Sequence, residues 1–251
     1  MRLYDIFPTM RDYPETKPMG FGIAYWFVYL IGLPAIFNPL TIVDLAMPGM
    51  MCFLYFLIDL IALVVIYREY LKDSWIDFRF HWKETLKNIA IGLGIFAVLS
   101  VILGLVGLPV ITPSDDSLYC ALPIGEMIPN YRKAIVLWQS PVFFGFIFVC
   151  MTPIITSLLY QATIFGPICG ERPLVAYIVL SLVAALPFIM RGLGVVSFGE
   201  AMIEYLSVLP FYLCAAWVYQ KSNTVWAPII FQAVVNLIGL PLALIGILSA
   251  F

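Results

Sequence analysis

Long apolar runs separated by short polar interruptions make up most of this chain. The runs are FGIAYWFVYLIGLPAIF (21–37), MMCFLYFLIDLIALVVIY (50–67), IAIGLGIFAVLSVILGLVGLPVI (89–111) and a longer one from about Val136 to Ile168. They continue with VAYIVLSLVAALPFIM (175–190), AMIEYLSVLPFYLCAAWVY (201–219) and WAPIIFQAVVNLIGLPLALIGILSAF (226–251). A hydrocarbon core is crossed by about 20 apolar residues in a helix, so each run predicts a membrane-crossing helix. The fourth is too long for one straight crossing and contains Pro153 and Pro167, which predicts a kinked helix or two. The expectation is an all-α polytopic transmembrane helical bundle of seven or eight spans, forming a single membrane domain over 1–251.

Two segments break the apolar pattern. REYLKDSWIDFRFHWKETLK (68–87) interleaves five Lys/Arg residues with Trp75, Phe78, Phe80 and Trp82, the mixture of an interfacial amphipathic helix with its aromatic edge among headgroups. TPSDDSLYCALPIGEMIPNYRK (112–133) reads as a polar loop. Orientation follows the positive residues. With a cytoplasmic N-terminus, Arg2, Arg11, Lys17, the five of 68–87, Arg172 and Lys221 lie inside, against Arg132, Lys133 and Arg191 outside. This holds if the fourth run crosses once, and it makes 68–87 a cytoplasmic helix of a multi-pass cell-membrane protein.

Composition sharpens the class. The chain has 251 residues, 63% hydrophobic and 11% charged, with mean hydropathy +1.02. Soluble chains carry roughly a quarter charged residues, so lipid is the expected solvent and the bilayer the first partner. A net charge of -2 leaves no basic footprint for nucleic acid. The first twenty residues mix both charge signs and lack the apolar core of a cleavable signal, so the first span is expected to lead insertion. The five cysteines stand singly, four of them in or beside apolar runs, where cysteine acts as a small hydrophobe and no disulfide framework is implied.

Polar residues inside the runs need partners, because hydrocarbon offers none. Asp59 in FLIDLIAL is expected to face the bundle and pair with a Tyr, Ser or backbone group. Glu200 and Glu204 stand four apart near the start of the sixth run, either as a carboxylate pair or as charges favoured at a helix N-terminus. Gln232 and Asn236 share one helical face in the last run. The segment MTPIITSLLYQATIF (151–165) gathers Thr156, Ser157, Tyr160 and Gln161 within two turns. Amides and hydroxyls so placed commonly join helices, each contact contributing about 0.6 kcal/mol.

Pro153-Ile154-Ile155-Thr156-Ser157-Leu158-Leu159-Tyr160-Gln161 resembles the first motif of the CPBP family of CAAX prenyl endopeptidases and bacteriocin-immunity (Abi) membrane proteins. In that family the helix reads proline, two apolar residues, paired glutamates, three apolar residues and arginine. LPFYLCAAWVYQKSNTVWAPIIFQAVVNL (209–237) is similar to the family's closing segment, with Trp226-Ala227-Pro228-Ile229 and Asn236 matching as they stand. The second motif would fall in LSLVAALPFIMR, with Ala184 and Phe188 at its two positions. The resemblance covers about 140–240.

The resemblance implies a CPBP-like core whose active members hold a catalytic water or metal between glutamates and histidines. Here those positions are Thr156, Ser157, Gln161, Phe188 and Gln232. Hydroxyls and amides cannot accept a proton near neutral pH, and metal-bound water favours His, Glu, Asp or Cys ligands. A Ser157 nucleophile would have only Gln161 and Gln232 beside it by family geometry, neither of them a base. The expectation is therefore a pseudoprotease: no catalytic residues, no metal and no cofactor, with a membrane protein or enzyme as the bound or regulated partner. Two alternatives stand beside it. One is a bacteriocin-immunity-type or small-molecule or ion carrier using Asp59, Glu200 and Glu204. The other is a diverged intramembrane protease in which Glu200 and Glu204 replace the missing glutamates.

Overall fold

The structure, a computed structural model, describes residues 14–32, 48–108, 145–192 and 197–248. The 112–133 loop, Arg132, Lys133 and Cys120 lie outside the described residues. Among the described residues eight helices follow in order: α1 (Thr16–Phe27, continued by a wide π turn over Val28–Gly32), α2 (Pro48–Ile66), α3 (Arg68–Phe80) and α4 (Trp82–Leu105). They are followed by α5 (Ile147–Glu171), α6 (Pro173–Gly192), α7 (Phe198–Ser222) and α8 (Trp226–Leu248). The described residues contain no strand.

α4, α5 and α7 are long and apolar enough to cross a membrane, while the apolar stretches Phe53–Ile66, Pro173–Ile189 and Trp226–Gly239 are shorter. Three of the expected seven or eight spans thus have helices of qualifying length among the described residues. Their surroundings differ. The apolar window of α5 is 78% buried inside the protein and that of α4 only 17%. α4 turns Val98, Val101 and Leu105 outward, Leu105 at 84% exposure. Such a continuous apolar exterior suits lipid and not water.

α5 is the pillar around which the main core assembles, with Phe148, Ile155, Leu158, Leu159 and Phe165 buried against α1, α2, α6 and α7. α6 lays a stripe of Ala176, Leu180, Ala184 and Phe188 into this core, residues four apart that share one helical face. Its small members let the α6 and α7 backbones approach, as at many membrane helix interfaces. A second core joins α4, α7 and α8 through Phe96, Phe211 and Phe231, with ring centroids 5.7 Å apart for Phe96–Phe211 and for Phe211–Phe231.

Residues 68–87 divide between two helices. α3 ends at Phe80, His81 stands exposed at the junction, and Trp82–Lys87 form the opening turns of α4. α3 docks on the turn between α7 and α8. That turn is made by Asn223 in the left-handed region (φ 52°), which asparagine tolerates better than most L-residues. Next to it, the Ser74 and Thr224 hydroxyls lie 2.9 Å apart, the Thr224 hydroxyl donates to the Ser74 carbonyl (3.1 Å), and the Val225 N–H donates to Ser74 Oγ (3.1 Å). The Trp226 indole donates to the Leu71 carbonyl (3.2 Å) and packs edge-on against Trp75. Ser74→Ala takes the acceptor from the buried Val225 N–H, while the Thr224 hydroxyl keeps the carbonyl of residue 74. The substitution is expected to cost about 2 kcal/mol, read as a lower midpoint of thermal unfolding in detergent, with earlier proteolysis of α3.

Candidate functional site

The polar face of α5 begins with its prolines. Residues Ile147–Met151 and Ser157–Phe165 form wide π turns, flanking an ordinary α turn over Thr152–Thr156. In the first, the Thr152 N–H donates to the Ile147 carbonyl five residues back; in the second, the Gly166 N–H donates to the Gln161 carbonyl. The next donor in each register would be residue 153 and residue 167, and both are proline. Proline has no N–H, and in an α-helix its ring would meet the carbonyl four residues back. The wide turns therefore end where a proline interrupts the ladder, and α5 passes both prolines as one continuous helix.

The interruption at Pro153 leaves the Phe148 carbonyl without its helical donor. Asn236 of α8 supplies one, its Nδ2 donating at 2.8 Å. Asn236→Leu removes this buried interhelical hydrogen bond and should cost about 1–2 kcal/mol. Adding Pro153→Ala restores a backbone N–H in the same register and should recover about half of the loss. A double-mutant cycle on unfolding midpoints reads this coupling.

One turn away, Gln232 closes the rest of the face. Its amide meets the Thr156 hydroxyl at Oε1, while Nε2 donates to Ser157 Oγ (3.0 Å) and, more weakly, to Gln161 Oε1 (3.4 Å). The Thr156 hydroxyl also lies 2.7 Å from the Thr152 carbonyl. It has a single proton for these acceptors, and turning the Gln232 amide over would set its Oε1 against Gln161 Oε1 with no proton between them, so the orientation with Nε2 toward Ser157 and Gln161 is the one that serves all three. Thr156, Ser157, Gln161, Gln232 and Asn236 are all at most 1% exposed. Gln161 Nε2 is the one atom of this group left without a partner among the described residues.

The other candidate residues lie apart from this joint. Tyr160 is buried with its ring 5.0 Å from that of Tyr212. Phe188 closes the α6 stripe and packs on Tyr205 (5.9 Å). Glu200 belongs to a capping box at the exposed start of α7: Ser197 Oγ accepts from the Glu200 N–H, and Glu200 Oε2 accepts from the Ser197 N–H. Two donors at that helix end are thereby satisfied reciprocally. Glu204 is half-buried one turn further on. Asp59 is fully buried and accepts from the Tyr25 hydroxyl at 2.6 Å, and its Oδ2 has no hydrogen-bond partner among the described residues. Among the described residues no three His, Cys, Asp or Glu side chains gather in a metal-holding group.

Sequence reasoning missed several long-range pairs made by hydroxyls, among them Tyr70–Tyr219 (2.7 Å) and two more. Tyr67 and Thr163 have hydroxyls 2.6 Å apart where α1 crosses α5, and the Tyr177 hydroxyl donates to Gln220 Oε1 at 2.8 Å between α6 and α7. The signal for the Tyr67–Thr163 pair was Gly22, which gives the Tyr67 hydroxyl room beside α1. Comparison with protein-family models, with curated proteins and with solved structures finds no match for this chain.

Proposed function

We propose that this chain is a multi-pass membrane protein of CPBP type that has given up hydrolysis and works by holding a membrane protein or enzyme partner. The observation that carries this reading is the Gln232 amide bridging Thr156, Ser157 and Gln161 in a site sealed from solvent. An amide and two hydroxyls stand where a hydrolase of this type would place acid, base and metal ligands, and none of them takes up a proton near neutral pH. The α5–α8 face is a joint that fixes two helices, and rigid joints present surfaces for partners.

A cytoplasmic N-terminus is part of the proposal. The Ser74–Thr224 and Tyr177–Gln220 bonds put α3, the α7–α8 turn and the start of α6 at one end of the bundle. Arg68, Lys72, Arg79, Lys83, Lys87, Arg172 and Lys221 therefore share that end, which supports its placement on the positive side of the membrane.

The deciding experiment is purification from native membranes, followed by metal analysis, a cleavage assay on prenylated and membrane-embedded peptides, and mass spectrometry of co-purified proteins. Expected are a reproducible membrane-protein partner and no chelator-sensitive cleavage. Stoichiometric zinc together with cleavage abolished by chelator overturns the reading. The carrier reading keeps one specific support, the buried Asp59 with its unpartnered Oδ2. Vesicle uptake that falls in Asp59→Asn would favour it, and equal flux would remove it.

A further inference from the structure

α4 and α6 both pack on α7 at positions that leave a groove between them. Its floor is Cys214 and Trp217 of α7, and its walls are Ile95 and Leu99 of α4 and Leu174 and Ile178 of α6, enclosing about 440 Å³. The lining is almost wholly apolar, so water, which needs two to four polar partners, is a poor occupant. The volume is too small for a partner helix, and the outer walls, with Ile178 at 57% exposure, belong to the apolar exterior. A flexible hydrocarbon chain fits these limits.

The charges choose the kind of chain. The Tyr177–Gln220 bond ties the first turn of α6 to the last turn of α7, and Asn88 Nδ2 donates to the Lys221 carbonyl (3.2 Å), tying the opening of α4 to the same level. Arg172 stands two residues before the groove wall at Leu174. Lys221 follows Trp217 by one turn, about 6 Å along the axis. Lys87 adjoins Asn88 on α4. Arg172 at the α5–α6 junction, Lys221 of α7 and Lys87 of α4 therefore lie toward one end of the apolar groove, with Glu171 beside Arg172 as the one acidic neighbour in sequence, and basic residues between membrane helices favour anionic headgroups.

We propose that this groove binds one acyl chain of an anionic glycerophospholipid, with its phosphate at the Arg172, Lys221 and Lys87 end. The site rests on the membrane reading of the chain and is independent of whether the α5–α8 joint is catalytic.

The test uses the full chain reconstituted with equal phosphatidylglycerol and phosphatidylcholine, then examined by native mass spectrometry after mild detergent exchange. One phosphatidylglycerol should be retained per chain, several-fold over phosphatidylcholine. Arg172→Ala with Lys221→Ala should abolish the preference, and Ile178→Trp, which fills the groove from its lipid side, should abolish retention of both lipids. Thermal unfolding of each variant separates loss of the site from loss of the fold; should either variant unfold, brominated-acyl quenching of Trp217 in the wild type, by difference with Trp217→Phe, decides instead. Equal retention of the two lipids by wild type, retention unchanged in folded Ile178→Trp, displacement by glycerol phosphate in water, or no Trp217 quenching each overturns the proposal. Recovery of the chain from the soluble fraction without detergent would instead overturn the membrane reading itself.

Discussion

Gln232→Met is expected to unfold at a markedly lower temperature than the wild type, because it removes the hub of the α5–α8 joint while keeping its volume. Ser157 Oγ and Gln161 Oε1 lose the Nε2 donor, and the Thr156 hydroxyl loses one of its contacts. Each stranded buried polar group costs about 1–3 kcal/mol, so a total near 3 kcal/mol is expected. Gln161→Met makes the sharper contrast. Its Nε2 already lacks a partner among the described residues, so removing that amide gives up only the long 3.4 Å contact from Gln232 Nε2 and should cost well under half as much. The double variant should then be less destabilised than Gln232→Met alone, because it no longer strands Gln161. Chemical unfolding in one detergent, followed for all three variants, measures the order. Equal losses for the two single variants would show that the joint is not organised around Gln232.

The second large effect is at Gly22. A Cβ there would overlap the Tyr67 hydroxyl and come within 2.8 Å of its Cζ and 3.0 Å of Thr163 Oγ1. Tyr67 is fully buried and its hydroxyl is held by Thr163, whose own hydroxyl donates to the Leu158 carbonyl at 2.6 Å. The ring cannot retreat without giving up that chain of bonds. Gly22→Ala should therefore cost about 3 kcal/mol, combining overpacking with a lost buried hydrogen bond. Tyr67→Phe removes the colliding oxygen, so the pair Gly22→Ala, Tyr67→Phe should be less destabilised than the sum of its parts. Additive losses in the thermal midpoints would place the clash elsewhere.

Helix positions were legible because apolar run length is a direct consequence of burying backbone hydrogen bonds in an apolar setting. Their ends were less so. Residues Trp82–Lys87 were read together with 68–81 as one surface helix, yet they form the opening turns of α4, all but Thr85 exposed. Pro153 and Pro167 were read as breaks or kinks; the wide turns before each let α5 run on, which a count of apolar residues cannot show. Gln232 and Asn236 were legible as inward amides from their spacing; Gln232 takes its partners from the polar cluster of α5, whereas Asn236 takes the Phe148 carbonyl, which no side-chain pattern marks. Asp59 was expected to pair with a Tyr, Ser or backbone group, and it takes Tyr25. The Ser74–Thr224 clasp joins residues 150 apart, and no local pattern encodes a pairing at that distance.

The joint also orders events during synthesis. Thr156, Ser157, Gln161 and the Phe148 carbonyl meet their α8 partners across 71 to 88 residues of chain. At ribosomal speeds of about 5–20 residues per second, that interval lasts on the order of ten seconds. On the membrane reading proposed above, the central pillar would wait through it with its polar stripe unanswered, a poor candidate to leave the insertion machinery alone. A nascent chain stopped before Trp226 should accordingly linger with translocon or insertase companions and be prey for membrane quality control, whereas one extended past Asn236 should be released.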